Sequence, residues 1–180
     1  MHYDGISPCN KRHTVFLAKA KIAAASGALL SIDVNFSEKI WPDPKQAQET
    51  LAAYCQHGAL VKISQDDVDR LLGPGMSHEA LFTYLHGIGA THICFTLGKD
   101  GAKLSQKDKP ILEVSAFEVE KIMDATGAGD AFWSGYLFAY LKGKTPQKCL
   151  ESALKMAAIK LQNVGRIPDY ALVIADIMNQ

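Results

Sequence analysis

The sequence has no surplus of charge of either sign: 19 Lys and Arg balance 19 Asp and Glu over 180 residues. It therefore offers no basic field for nucleic acid or an anionic membrane, and no acidic field for cationic partners. Cysteine is sparse. Cys9, Cys55, Cys94 and Cys149 stand far apart, with no Cys-x-x-Cys pair and no histidine at ligand spacing. That argues against a zinc site, a redox dithiol or a disulfide framework, and each thiol reads as a small buried hydrophobe in a reducing, cytoplasmic setting. Long apolar runs are missing too. The charge-free apolar stretch Ile22 to Ile32 is too short to span a bilayer, and Met1 is not followed by a basic-then-apolar export signal. There is no internal repeat, low-complexity tract or linker, so at about 150 residues per domain the expectation is one α/β domain over residues 1–180.

What is present is 48% hydrophobic residues, enough for a buried core. Apolar periodicity switches repeatedly between helical and strand types, the pattern of an α/β fold with a mainly parallel sheet and helices on both sides. The spacing predicts a helix from about Lys11 to Ser26 and a strand from Ala28 to Val34, buried on both faces. A helix opened by Pro44 and closed by Gly58 precedes a strand at Ala59 to Ile63. Ser64 and Asp67 resemble a capping box for a short helix to Leu72, and Ser77 caps another to His86. A strand at His92 to Leu97 leads to a hairpin, Ala102 to Ser105 with Ile111 to Ser115. Two helices close the chain, one ending at Leu141 and one opening at Pro146.

The segment Asp124-Ala125-Thr126-Gly127-Ala128-Gly129-Asp130 carries the chemistry. Paired glycines allow a sharp turn and a close backbone approach, and the helix that follows aims its first N–H groups and positive dipole end at whatever lies there. Such a start is an anion cradle with Asp130 in its first turn; alternatively, Asp130 only caps the helix and the glycines only turn the chain. Gly127-x-Gly129 is not a dinucleotide fingerprint, because Phe132 holds the place of the third glycine. Gly143-Lys144-Thr145 imitates the end of a Walker A loop, but Phe138 stands where that loop needs glycine, so it reads as a polar turn between helices.

Asp124-x-Thr126-Gly127-Ala128-Gly129-Asp130 resembles the C-terminal signature of the ribokinase-like (PfkB) carbohydrate kinases. Three further motifs follow the family's order and spacing. Asp33-Val34-Asn35 with Trp41 is similar to its D-x-N-x-R with a following L-W, best known in the fructokinase-like branch. Lys62-Ile63-Ser64-Gln65-Asp66-Asp67 is similar to its K-x-N-x-x-E, and Thr96-Leu97-Gly98-Lys99-Asp100-Gly101 to its T-x-G-x-x-G.

The resemblance implies a three-layer α/β/α kinase fold and ATP-dependent phosphorylation of a small sugar. Asp130 would be the base that takes the proton of the sugar hydroxyl, and Gly127, Ala128 and Gly129 the anion hole for the phosphoryl group. Thr96, Gly98 and Gly101 would line the nucleotide, and Asn35, Lys62, Ser64 and Asp67 the phosphate side with its Mg2+. Asn163 and Gly165 would close the adenine pocket, and Asp124 with the Thr126 carbonyl would hold a monovalent cation, K+. Read without the family, Lys62 is a strand-end lysine, Asp124 a loop carboxylate and Gly165 an ordinary residue just past a helix end. The chain departs from the pattern at Ser37 (usually Arg), at Ser64 and Asp67 (usually Asn and Glu), and at Arg166 (usually small). The resemblance also implies that the family's N-terminal half, with its lid and most of the sugar pocket, lies outside this sequence. The strand at 28–34 is then expected to present an open edge, and the chain to form homo-oligomers through it.

Overall fold

Short polar side chains and prolines set where the helices begin. The computed structural model describes residues 8–167 together with residue 175. In order, its elements are α1 (Pro8–Ala25), β1 (Leu30–Asp33), α2 (Pro44–Cys55), β2 (Ala59–Ser64), α3 (Gln65–Leu71), α4 (His78–Gly87), β3 (Ala90–Thr96), β4 (Ala102–Gln106), β5 (Leu112–Val114), α5 (Ala128–Leu141) and α6 (Pro146–Leu161). Asp43 caps α2 by accepting from Lys45 N at 2.9 Å, with Pro44 next in the first turn. Ser64 and Asp67 form both halves of the expected capping box on α3. Ser77 caps α4, and Thr145 caps α6 by accepting from Lys148 N at 3.3 Å. The Gly143-Lys144-Thr145 segment is thus the turn between α5 and α6.

The strands run in the order β1-β2-β3-β4-β5. β1 and β2 are parallel, with Leu30 opposite Ala59 and Asp33 opposite Lys62, and α2 forms the crossover between them. β4 and β5 are antiparallel, with Ala102 opposite Val114, so the expected hairpin closes a mixed sheet. The chain divides into two compact units, Met1–Ile93 and Cys94–Gln180, the division falling inside β3.

β1 corrects an expectation. It is shorter than residues 28–34 and not buried on both faces: Leu30 is buried, Ser31, Ile32 and Asp33 are half-buried, and Leu29 is exposed. Polar Ser31 and Asp33 alternate with Leu30 and Ile32, and among the described residues β1, at the end of the order, pairs with a strand on one side only.

In the first unit the core gathers around Leu51, Cys55, Leu60, Val61, Ile63 and Leu85. In the second, Phe95, Leu104, Phe132, Tyr136 and Leu150 are buried. Cys55, Cys94 and Cys149 are buried thiols outside any disulfide, while the side chain of Cys9 lies outside the described residues. Among the described residues no helix is long and apolar enough to cross a membrane.

Candidate functional site

In the second unit, α5 is anchored by its buried residues Ala131, Phe132, Trp133, Tyr136 and Ala139. Gly135 lets α6 come close, since a Cβ there would lie 2.8 Å from Met156 Cγ and 2.9 Å from the Ser152 carbonyl oxygen. Four of the five helices from α2 to α6 carry a side-chain cap. The start of α5 carries none, because its N-cap is Gly127, held left-handed at φ 78° and ψ 8°. The left-handed turn belongs to Gly127; Ala128 and Gly129 are already helical. Asp130 lies exposed in the first turn, and a Cβ on Gly127 would stand 3.7 Å from its Oδ2.

Behind this helix start, the chain at 123–126 is laced to the end of α6. Met123 N and Asp124 N donate to the Leu161 carbonyl at 2.8 and 3.3 Å, and Thr126 N donates to Asp124 Oδ1 at 2.9 Å. Lys160, which the sequence reading did not single out, completes the set. Its Nζ donates to the Asn163 carbonyl at 3.0 Å and lies 3.4 Å from Asp124 Oδ2. The Lys160 side chain is 9% exposed, and its Cε would stand 3.7 Å from a Cβ on Gly127. The Thr126 N–H foremost, with Lys160 adding less, holds the Asp124 carboxyl below the usual carboxylate range. A basic residue in a last helical turn is ordinary, so the sequence carried no signal for Lys160 beyond that. Asn163 Nδ2 donates to the Ile159 carbonyl at 2.8 Å. Gly165 is left-handed at φ 69° but lies beyond the Gln162 cap, so it is not the residue just past the helix end.

Thr96 ends β3, half-buried, at a tight turn. Leu97 N donates to the Gly101 carbonyl at 2.9 Å and Gly101 N to the Gly98 carbonyl at 3.2 Å. Gly101, at φ 98°, is pressed against the Val114 carbonyl oxygen, where any Cβ would collide.

The first unit holds the other expected residues in one cluster of its own. Lys62 Nζ grips both Asp33 oxygens at 2.9 and 2.8 Å across the β1–β2 register, and the two side chains are 6% and 20% exposed. Asn35 is left-handed at φ 36°, pinned on both flanks: Val34 N donates to the Lys62 carbonyl at 3.0 Å, and Phe36 N to Asp67 Oδ1 at 2.8 Å. Asp67 Oδ1 also meets Arg70 at 3.3 Å. Its Oδ2 accepts from Ser64 N and from the Ser64 hydroxyl. Both oxygens of Asp67 are thus engaged. Among the described residues no group of three His, Cys, Asp or Glu side chains is arranged to hold a metal.

The family model for pfkB family carbohydrate kinases matches residues 1–171. The ATP-dependent 6-phosphofructokinase of Thermoanaerobacterium thermosaccharolyticum is 35% identical over 141 residues, covering 78% of this chain and 43% of that protein. Fructokinase-1 of Oryza sativa subsp. japonica is 32% identical over 178 residues, covering 93% of this chain and 54% of that protein. Aminoimidazole riboside kinase of Salmonella enterica, solved with aminoimidazole riboside and an ATP analog, superposes at TM-score 0.77 and 24% identity, over 92% of this chain and 57% of its own. That likeness establishes the ribokinase-like α/β fold with its mainly parallel sheet. The chain spans about half the length of these relatives. By the match of its family model over nearly its whole length, the chain belongs to the pfkB family of carbohydrate kinases.

Proposed function

We propose that the chain is the nucleotide-binding, phosphoryl-transferring portion of an ATP-dependent sugar kinase with a fructose-like substrate. The observation that carries this reading is the start of α5: a helix end left without a side-chain cap, with Asp130 beside it. N–H groups at such an end, aided by the helix dipole, suit an anion. Phosphoryl transfer needs mainly positioning and neutralisation of charge on the transferred oxygens, and a carboxylate that accepts the hydroxyl proton as the new O–P bond forms. In this reading Gly127, Ala128 and Gly129 form the anion hole and Asp130 is the base. ATP lies between the cradle and the turn from Thr96 to Gly101, with Asn163 and Gly165 at the adenine. By the family resemblance Asn35, Lys62, Ser64 and Asp67 would serve the phosphate side, where Mg2+ would neutralise phosphate charge, with Asp67 itself engaged by Phe36 N and Ser64. The relatives named fructokinase and 6-phosphofructokinase support a fructose-type acceptor.

One observation favours a second reading, a nucleotide-binding or interaction module without turnover: both oxygens of Asp67, expected on the phosphate side, are already taken by groups of the chain itself. A coupled kinase assay on the 180-residue chain against a panel of sugars, with calorimetric titration of an ATP analogue, separates the two. Turnover supports the kinase; binding without turnover supports the module; neither overturns both. We also propose self-association through the β1 edge, which sedimentation across a concentration series tests; a monomer at every concentration would refute it.

A further inference from the structure

We propose that Lys160 is a resident cation of the cradle: its ammonium stands where the family resemblance puts a monovalent ion, and the chain works without potassium. The argument starts from donors and acceptors. An ion at this place would need the Asp124 carboxylate and neighbouring carbonyl oxygens. Lys160 Nζ already takes Asp124 Oδ2 at 3.4 Å and the Asn163 carbonyl at 3.0 Å, while Thr126 N occupies Oδ1 at 2.9 Å. An ammonium has the charge of K+ and nearly its size. Asp124 is already matched by one cation, and a second cation beside it would meet like charge with both of its oxygens engaged. These residues therefore do not fit a mobile monovalent ion.

The position of the stem gives the ammonium its consequence. Lys160 Cε would lie 3.7 Å from a Cβ on Gly127, so the buried side chain passes beside the left-handed turn that opens α5. By joining Asp124 to the end of α6, Lys160 fixes the 124–127 backbone and places a positive charge close to the helix end that would meet phosphate. It is a positioning residue, since it touches neither reacting atom. The functional consequence, though not the cation substitution itself, rests on the nucleotide-cradle reading above.

The test uses the 180-residue chain and the cations alone. Thermal melts without nucleotide are compared in potassium chloride and choline chloride at equal ionic strength, for the wild type and for Lys160→Ala, which removes the ammonium and opens space beside Asp124. The wild type should melt at the same temperature in both salts. The variant should be less stable in choline and regain about 2–4 °C in a saturable, K+-specific manner. Its affinity for a non-hydrolysable ATP analogue should become about 5–150-fold tighter in K+ than in choline, with no such difference in the wild type. A merely structural ion pair would not create a K+ response. Saturable stabilisation of the wild type by K+ overturns the proposal, and so does a folded Lys160→Ala protein indifferent to K+. Should the variant not fold in either salt, the wild-type melts decide alone. An ATP analogue that binds in no salt counts against the nucleotide reading and leaves the melts standing.

Discussion

Gly127 and Asp130 face the same space at the start of α5: a Cβ on the glycine would lie 3.7 Å from the carboxylate Oδ2. The backbone that would cradle an anion and the group that would take a proton are thus fixed by one helical turn, on a helix held by buried Phe132 and Tyr136. Their separation does not depend on a flexible loop.

Asp130→Asn keeps the shape of that turn and removes the base. In a form of the protein that turns over sugar, it should lower kcat by about 10²–10⁴-fold. The affinity for an ATP analogue should be nearly unchanged, because the lost interaction belongs to the transition state. Kinetics with calorimetry check both, and near-normal turnover would move the role of base elsewhere.

Gly127→Val tests the cradle itself. At φ 78° a β-branched residue is strained by about 1–3 kcal/mol, and its side chain would crowd Asp130 Oδ2 and Lys160 Cε, each 3.7 Å from the Cβ position. A variant with a native far-ultraviolet spectrum should show no heat of binding with the ATP analogue. Unchanged binding would place the nucleotide elsewhere.

Gly135→Ala probes the support behind the cradle. The new methyl would meet Met156 Cγ at 2.8 Å and the Ser152 carbonyl at 2.9 Å, and α6 would have to move away. Overpacking of this kind costs about 1–3 kcal/mol, which urea unfolding would report as a lower midpoint at unchanged slope. A midpoint equal to the wild type would show that the packing of α5 on α6 yields freely.

The Asp124 carboxyl, held low mainly by the Thr126 N–H, predicts an acid limb. A carboxyl whose folded pKa lies below its unfolded value lends stability above the unfolded value, and that stability is lost as pH falls through the folded one. The difference in melting temperature between wild type and Asp124→Asn should therefore be full above about pH 5 and shrink steadily in more acid solution. A difference independent of pH would remove Asp124 from the account.

Helix starts were legible because caps are local chemistry: Pro44, Ser64, Ser77 and Pro146 each mark one within a few residues. The glycine turn before α5 was legible for the same reason, though the sequence could not tell which glycine takes the left-handed conformation. β1 was drawn too long and too buried, because burial of a strand depends on neighbours that its own residues do not specify. Lys160 and the Lys62–Asp33 pair escaped notice because their partners lie 36 and 29 residues away in sequence. Such pairings are decided by topology, and a lysine at a helix or strand end looks the same with or without one.

The buried cysteines give each half of the chain its own clock. Cys55 belongs to the unit Met1–Ile93 and Cys149 to Cys94–Gln180. Burial pushes their thiols up to about 12 and about 11, so neither offers thiolate to a reagent near neutral pH while the surrounding structure is closed. Alkylation followed by peptide mapping would then time the opening of each unit in one tube. Matched rates at Cys55 and Cys149 would mean that the two halves unravel as one, and divergent rates would name the half that yields first.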